Sequence, residues 1–140
     1  MPTSTRFVVA VHALTALAVS DGKPMRSEDL AYSANTSPVV IRGLLSRLSE
    51  VGLTRSQLGA GGGTMLARPA KKIKLLDVYE AVEPSALFAM HRATPNQECP
   101  VGFGIRPAMQ SIYAGIEDTL RGELAHTTLA DVLRDVLAAR

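Results

Sequence analysis

A cluster of glycines in the first half of the chain limits what the residues around it can form: Gly59, Gly61, Gly62 and Gly63. Glycine adopts positive φ without steric cost, so the cluster suits either a phosphate-binding loop or the tip of a β-hairpin. A P-loop needs a lysine directly after its last glycine, and the next lysine here is Lys71. A dinucleotide fingerprint read from Gly59 has Thr64 in place of its third glycine, and Pro69 follows where a helix should begin. The cluster therefore predicts a hairpin tip.

Three helices are predicted ahead of this hairpin. The first covers about residues 5–20, and the second, about 27–34, has Ser27 as its N-cap with two acidic residues in its first turn. The third has the clearest start, because Ser37 can cap it and Pro38 occupies the first helical position. It is expected to run to about residue 50, and its apolar residues recur at helical spacing as a buried stripe: Val40, Ile41, Leu44, Leu45, Leu48 and Val51.

The order helix, helix, helix, hairpin is typical of a winged helix-turn-helix domain, a mainly α fold with a small β-hairpin wing. In that fold the helix starting at Ser37 enters the major groove of DNA. Arg42 is the best single candidate for base readout, because an arginine can bind a guanine edge through two hydrogen bonds. The predicted DNA contacts are Ser27, Ser37, Pro38, Val39, Arg42, Ser46, Gln57, Gly61, Gly62 and Thr64.

The wing residues in this set are expected beside the phosphates. A bulky residue at Gly62 should hold the hairpin off the DNA backbone, weakening binding to every duplex while leaving the protein folded.

Basic residues are concentrated in the middle of the chain. Residues 22–74 hold nine basic and three acidic residues, a net charge of +6, and residues 75–140 hold five basic and nine acidic residues, a net charge of −4. A basic region joined to an acidic one favours a polyanion-binding segment, although a solvated basic face gives the same count. Aromatic residues make up 4% of the chain, which argues against a base-stacking platform for single strands.

The second half predicts further helices around a loop. A brief helix near residues 75–82 is halted by Pro84, and proline and glycine dominate residues 84–104. Pro107 opens a long amphipathic helix that needs an apolar partner. The last helix begins near Thr128, which forms a capping-box-like pair with Asp131. Its expected buried face consists of Leu129, Val132, Leu133, Val136 and Leu137.

No catalytic or metal-binding constellation emerges from the sequence, so an enzyme is not expected. The three histidines, His12, His91 and His126, are far apart and lack metal-ligand spacing. The apolar stretch 7–19 is too short to span a bilayer, and polar residues inside it favour a buried first helix over the alternative of a signal peptide. The single cysteine, Cys99, cannot form an intrachain disulfide, which fits a reducing, cytoplasmic compartment.

Three segments together resemble the Rrf-two family of bacterial transcription regulators: TRFVVAVHALTALA, SPVVIRGLLSRLSEVGL and GAGGGTMLARPAKKIKLLDVYEAVE. The resemblance covers essentially the full chain, and GGGTMLARP followed by IKLLDVYEAVE is its most specific part. It implies a homodimeric DNA-binding protein, usually a repressor of a palindromic operator, whose long C-terminal helix crosses to the partner subunit. The expected organisation is then a winged-helix domain over 1–83, a loop with Cys99 over 84–104, and dimerisation helices over 105–140.

The sequence departs from this family at the sensor. Members that hold an iron-sulfur cluster carry three closely spaced cysteines between the wing and the long helix, whereas NQECPVGFG offers only Cys99. Ligation of a cluster on that pattern is not supported, and no cofactor is expected. Cys99 is a candidate redox sensor, a ligand shared across the dimer or a packed residue, and the loop around it could line a small-ligand pocket.

The leading interpretation is a sequence-specific regulator that binds double-stranded DNA and responds to a redox or small-molecule signal. The alternatives are a winged-helix module that binds protein, and a cofactor-binding protein centred on Cys99.

Overall fold

The computed structural model describes residues 4–83 and 86–139 of the 140-residue chain. The described elements follow in the order α1 (Arg6–Val19), α2 (Ser27–Ala34), α3 (Pro38–Glu50), β1 (Thr54–Gln57), β2 (Gly63–Leu66), a 3-10 turn (Ala70–Lys72), α4 (Leu75–Val82), α5 (Pro100–His126) and α6 (Leu129–Ala138). They form two units, one of residues up to 83 together with 124–139, the other of residues 86–123. The predicted helix stop at Pro84 lies outside the described residues.

Helix α3 begins as its sequence predicts. Ser37 lies in extended conformation ahead of it, the Ser37 side chain accepts a hydrogen bond from the Val39 N–H at 3.1 Å, and Pro38 is the first helical residue. The buried stripe is narrower than predicted, because Val40 and Val51 are 46% and 47% exposed. Four side chains of α3 are buried and join the core built by α1, α2 and α4: Ile41, Leu44, Leu45 and Leu48.

Helix α2 starts at the residue that was predicted to cap it. Ser27 is the first helical residue, and Arg26 takes the N-cap position without a side-chain cap, so the prediction of Ser27 as the N-cap is wrong. The helix ends at Ala34, and its C-cap Asn35 adopts the left-handed conformation with φ 53°, which Asn tolerates better than most residues. The Thr36 N–H donates to the carbonyl of Ala31 at 3.0 Å and completes the tight turn into α3.

The glycine cluster forms the tip of an antiparallel hairpin, as predicted. Strands β1 and β2 pair in register from Thr54 opposite Leu66 to Gln57 opposite Gly63. Met25, in the segment between α1 and α2, forms an isolated bridge with Thr64 on the other side of β2. Strand β2 thus has two hydrogen-bonded neighbours, β1 and the Met25 segment, and the second attaches the wing to the body.

Helix α6 packs against α1 and belongs to the first unit. Its capping box is confirmed, because the Thr128 side chain accepts from the Asp131 N–H at 3.2 Å and Asp131 Oδ2 accepts from the Thr128 N–H at 2.9 Å. Leu129 is fully buried in the core, whereas Val136 and Leu137 are exposed, so the predicted buried face holds only in part. Residues 124–139 therefore belong to the same unit as the winged-helix elements, whereas the sequence assigned them to a separate dimerisation segment over 105–140.

The second unit consists of most of α5 and the segment that precedes it. The helix begins at Pro100 and contains Pro107, so Pro107 does not open it as predicted, and the loop is shorter than 84–104. Phe88 stacks on Tyr113 of α5 with ring centroids 4.9 Å apart, and Arg106 donates to the carbonyl of His91 at 2.9 Å. These contacts hold the preceding segment along the helix.

Candidate nucleic-acid interface

The exposed end of α3 carries the first group of predicted contacts. Ser37 and Val39 are exposed at its N-terminus, and Pro38 between them is half-buried. Arg42 follows one turn later and is exposed on the side away from the core. The positive end of the helix dipole beside an arginine is suited to anionic oxygens, although the Ser37 side chain already accepts the Val39 N–H and Pro38 has no N–H.

A groove of about 530 Å³ separates α3 from the hairpin. Hydroxyl groups from four elements, α2, α3, β1 and β2, line most of it, with Arg42 and Glu50 as its charged residues. The lining residues are Ser27, Arg42, Leu45, Ser46, Ser49, Glu50, Thr54, Ser56 and Thr64. The structure thus brings four of the predicted contacts together, namely Ser27, Arg42, Ser46 and Thr64, and adds Ser49 and Ser56, which the sequence did not single out as contacts.

Thr64 differs from the other groove residues in being committed to the fold. It is 9% exposed, its N–H donates to the Met25 carbonyl at 2.8 Å, and its carbonyl accepts from the Met25 N–H at 2.9 Å. Its backbone groups are therefore unavailable to a phosphate. We assign Thr64 to wing attachment and leave it out of the proposed contact surface.

Gln57, Gly61 and Gly62 lie at the wing tip, away from the α3 groove lining. Gly61 has φ +76° with open space around a would-be side chain, so its glycine is required by backbone conformation. A Cβ on Gly62 would collide with the carbonyl oxygen of Gln57 and lie 2.9 Å from that of Gly59. A side chain at Gly62 would therefore meet the backbone of the hairpin itself, and the expectation that such a variant stays folded remains a prediction.

The basic residues of the middle segment divide into structural and free groups. Arg47 donates to the carbonyl of Val82 at 3.3 Å, and Arg68 donates to the carbonyls of Lys72 and Val51 at 3.4 and 3.5 Å. Arg55 on β1 is exposed, and its side chain has no ion pair or hydrogen bond with any residue that the structure describes. Alternation along β1 would have identified Arg55 from sequence, since it shares a strand face with the predicted contact Gln57.

Cys99 is exposed and stands directly ahead of α5. Its carbonyl accepts from the Phe103 N–H at 2.9 Å, so Cys99 occupies the N-cap position of this 27-residue helix. The backbone N–H groups of Gly102 and Val101 lower the pKa of the Cys99 thiol. A lower pKa means a larger thiolate fraction at neutral pH, which is the reactive form.

A second concavity, of about 500 Å³, lies in the first unit and is almost entirely apolar. Val8 and Val11 of α1 and Val132 and Val136 of α6 form its walls. One polar pair lies at its edge, where His12 Nε2 and Ser33 Oγ are 2.8 Å apart. That hydrogen bond gives His12 a structural role between α1 and α2.

Comparison with known proteins identifies the family. The model of the Rrf2 family, described as "Iron-dependent Transcriptional regulator", matches residues 3–135. The chain belongs to the Rrf2 family. The resemblance found in the sequence is thereby confirmed, and the winged-helix DNA-binding regulator that it implied is the function of this family.

Individual relatives agree with this assignment. YwnA of Bacillus subtilis, whose name provisionally describes an HTH-type transcriptional regulator, is 36% identical over 131 residues, which are 93% of this chain and 96% of YwnA. The solved structure of T. potens IscR covers 100% of this chain and 91% of its own, with a TM-score of 0.76 and 26% identity. The oxidized form of Staphylococcus aureus CymR covers 95% and 96%, with a TM-score of 0.70 and 25% identity.

Within one copy of the chain, the described residues offer no cluster of three or more ligands for an iron ion or an iron-sulfur cluster. Cys99 is the one cysteine of the sequence. Within residues 4–83 and 86–139, no three His, Cys, Asp or Glu side chains are close enough to hold a metal ion. Within these same ranges, no helix has the length and hydropathy that a membrane span requires.

Proposed function

We propose that this Rrf2 regulator acts as a cytoplasmic homodimeric repressor that reads a palindromic operator with α3 and the wing. One observation carries the proposal: Arg42 projects from the exposed face of α3 into a hydroxyl-lined groove that the hairpin bounds. Arginine is the side chain best suited to a guanine edge, and hydroxyls suit phosphate oxygens. The proposed activity is binding, with no catalytic step.

The homodimer is supported by the apolar surface of α5. Within the second unit, α5 exposes large apolar side chains along its length: Val101, Phe103, Ile112 and Ile116. A second copy of the same helix would cover them. A homodimer carries two α3 helices, which suits half-sites about 34–36 Å apart, or a multiple of that spacing. Sedimentation should show a dimer for the parent and a monomer for the double variant Ile112→Glu, Ile116→Glu. Gln110→Glu adds a charge to the same helix at an exposed polar position and should stay dimeric.

Duplex affinity measured against salt is the main test of DNA binding. Each phosphate that the protein neutralises adds about −0.9 to the slope of log K against log salt, so a reader of duplex DNA loses affinity steeply. A flat response would overturn the proposal and favour a winged-helix module that binds protein. A random-duplex selection with the parent protein supplies the specific sequence for the measurements.

Two arginine variants separate base readout from phosphate contact. Arg42→Ala should weaken binding to the selected duplex by about tenfold to a hundredfold and binding to a scrambled duplex much less. Arg55→Ala is the matched control, since Arg55 is an exposed arginine of the wing. It should weaken binding to both duplexes equally and make the salt slope less steep by about one. Equal losses on both duplexes for Arg42→Ala would reduce Arg42 to a phosphate contact.

The proposed signal is redox, with Cys99 as the thiol, and a small molecule in the apolar concavity of the first unit is the alternative. A thiol at a helix N-terminus with a lowered pKa reacts readily with oxidants, and the relative CymR has been solved in an oxidized form. Oxidant should change the DNA affinity of the parent and leave that of Cys99→Ser unchanged. The same change in both proteins would exclude Cys99.

A further inference from the structure

Glu28, in the first turn of α2, lies against the arginine proposed to read DNA. Its Oε1 is 3.8 Å from Nη1 of Arg42, and its Oε2 is 3.5 Å from Nε of Arg26. One carboxylate therefore holds two arginines from different parts of the helix-turn-helix. The Glu28 and Arg42 side chains are 52% and 54% exposed, so whatever docks on α3 meets both partners.

The carboxylate is charged when DNA would approach. A backbone hydrogen bond at Glu28 and the nearby charges of Arg26 and Arg42 lower the pKa of this carboxyl. An ionised carboxylate on a surface that faces phosphates repels them and weakens binding to any sequence. Folding gives little reason to keep it there, because an ion pair this exposed is screened by solvent and contributes little to stability.

The order of donors and acceptors in the pair matches one kind of base pair. A G·C pair presents in the major groove the guanine N7 and O6 acceptors followed by the cytosine N4 amino donor. Arginine donates to the guanine atoms, and glutamate accepts from the cytosine amino group. Arg42 has five N–H donors, so it can bond a guanine while it remains beside Glu28.

We propose that Glu28 is a specificity-determining residue, and that the Glu28–Arg42 pair reads a G·C base pair in each half-site. Glu28 restrains Arg42 in an orientation suited to the guanine edge and accepts from the paired cytosine. It also weakens binding to sites that place no amino group opposite it, because the carboxylate then faces DNA without a hydrogen-bond donor. Glu28 thus lowers affinity for all DNA and raises the ratio of specific to non-specific binding. The inference rests on the proposed function, because it assumes that Arg42 faces a base edge.

The test compares Glu28→Ala with Asp29→Ala on the duplex selected with the parent and on a scrambled duplex. Asp29 is the matched control: it is the next residue of the same helix turn, it is exposed, and it has no ion pair with any residue that the structure describes. Glu28→Ala should bind the scrambled duplex more tightly than the parent does and lose about tenfold in the specificity ratio. Asp29→Ala should tighten binding to both duplexes alike and keep the ratio of the parent.

A second measurement identifies the base pair. Repeating the random-duplex selection with Glu28→Ala should erase the preference at one G·C position per half-site and leave the other positions as in the parent. In a double-mutant cycle, the combined variant Glu28→Ala, Arg42→Ala should lose no more of the ratio than Arg42→Ala alone, because the two residues act as one reading unit. Thermal unfolding of each variant checks that folding is retained.

The outcomes separate this inference from the proposed function. A parent that binds no duplex in a salt-dependent way refutes the proposed function and this inference together. A parent that binds its selected duplex specifically, with an unchanged specificity ratio in Glu28→Ala, refutes the inference alone. Strictly additive losses in the cycle would also overturn it, since Glu28 and Arg42 would then act independently.

Discussion

Ser37 allows helix capping and DNA contact to be measured separately at one position. Its side chain accepts the Val39 N–H at 3.1 Å, and Pro38, which has no N–H, removes one of the other donors that would need a cap. Replacing an N-cap serine with alanine typically destabilises a protein by about 0.5–2 kcal/mol. Ser37 is exposed, so water replaces part of the lost bond, and we expect a loss near 1 kcal/mol in Ser37→Ala. That loss lowers Tm by roughly 4 °C in a domain of this size.

Ser37→Asp is the informative counterpart. Aspartate keeps the cap acceptor, and its charge interacts favourably with the helix N-terminus, so Tm should equal or exceed that of the parent. The same charge should repel phosphates and weaken duplex binding about tenfold, whereas Ser37→Ala should weaken it by a few-fold at most. Thermal unfolding at fixed protein concentration and fluorescence anisotropy with a labelled duplex measure the two effects.

The two variants are thus expected to rank in opposite orders for stability and affinity. If Ser37→Ala unfolds at the temperature of the parent, the cap contributes nothing and the reasoning about α3 fails. If Ser37→Asp binds duplex as tightly as the parent, the start of α3 does not face phosphates.

Two further predictions concern the wing and the last helix. Gly62→Ala should displace the NMR amide signals of residues 54–66 and weaken binding to every duplex, because its Cβ meets the Gln57 carbonyl; an unchanged hairpin spectrum would refute the clash. Hydrogen bonds from Thr128, its backbone N–H first, lower the pKa of Asp131, so its stabilising contribution is present above the ordinary value of 3.8 and is lost as pH falls through the lowered pKa. Asp131→Asn should therefore be less stable than the parent at neutral pH, with a difference in urea midpoint that shrinks below pH about 4; a constant difference would contradict the linkage.

Features encoded by neighbouring residues could be predicted from the sequence. The cap at Ser37, the box formed by Thr128 and Asp131, and the glycine-tipped hairpin each depend on residues within a few positions of one another, and each is confirmed. The start of α5 could not be chosen in this way. Pro100 and Pro107 satisfy the same preference for the first helical turn, and the glycines between them favoured the wrong one.

Long-range contacts explain the remaining differences. Periodicity predicts Val40 and Val51 as part of the buried stripe, but no described element covers them fully and both stay about half exposed. The pairing of Met25 with Thr64 joins residues 39 positions apart, without a local signal, and it withdrew Thr64 from the contact surface. From the sequence, Glu28 was an acidic residue of the first turn of α2 within a basic segment, because its proximity to Arg42 depends on how α2 packs on α3.

The bridge between Met25 and Thr64 has a consequence for the energetics of binding. A hairpin fixed only at its own base would be a mobile arm, and DNA would have to restrict its motion on association. Strand β2 is instead hydrogen-bonded to β1 along one edge and to Met25 at Thr64 on the other. Most of the ordering of the wing is therefore completed when the protein folds, and less entropy is lost when it binds. The order already present in the wing of the free protein then strengthens binding without any additional contact to the nucleic acid.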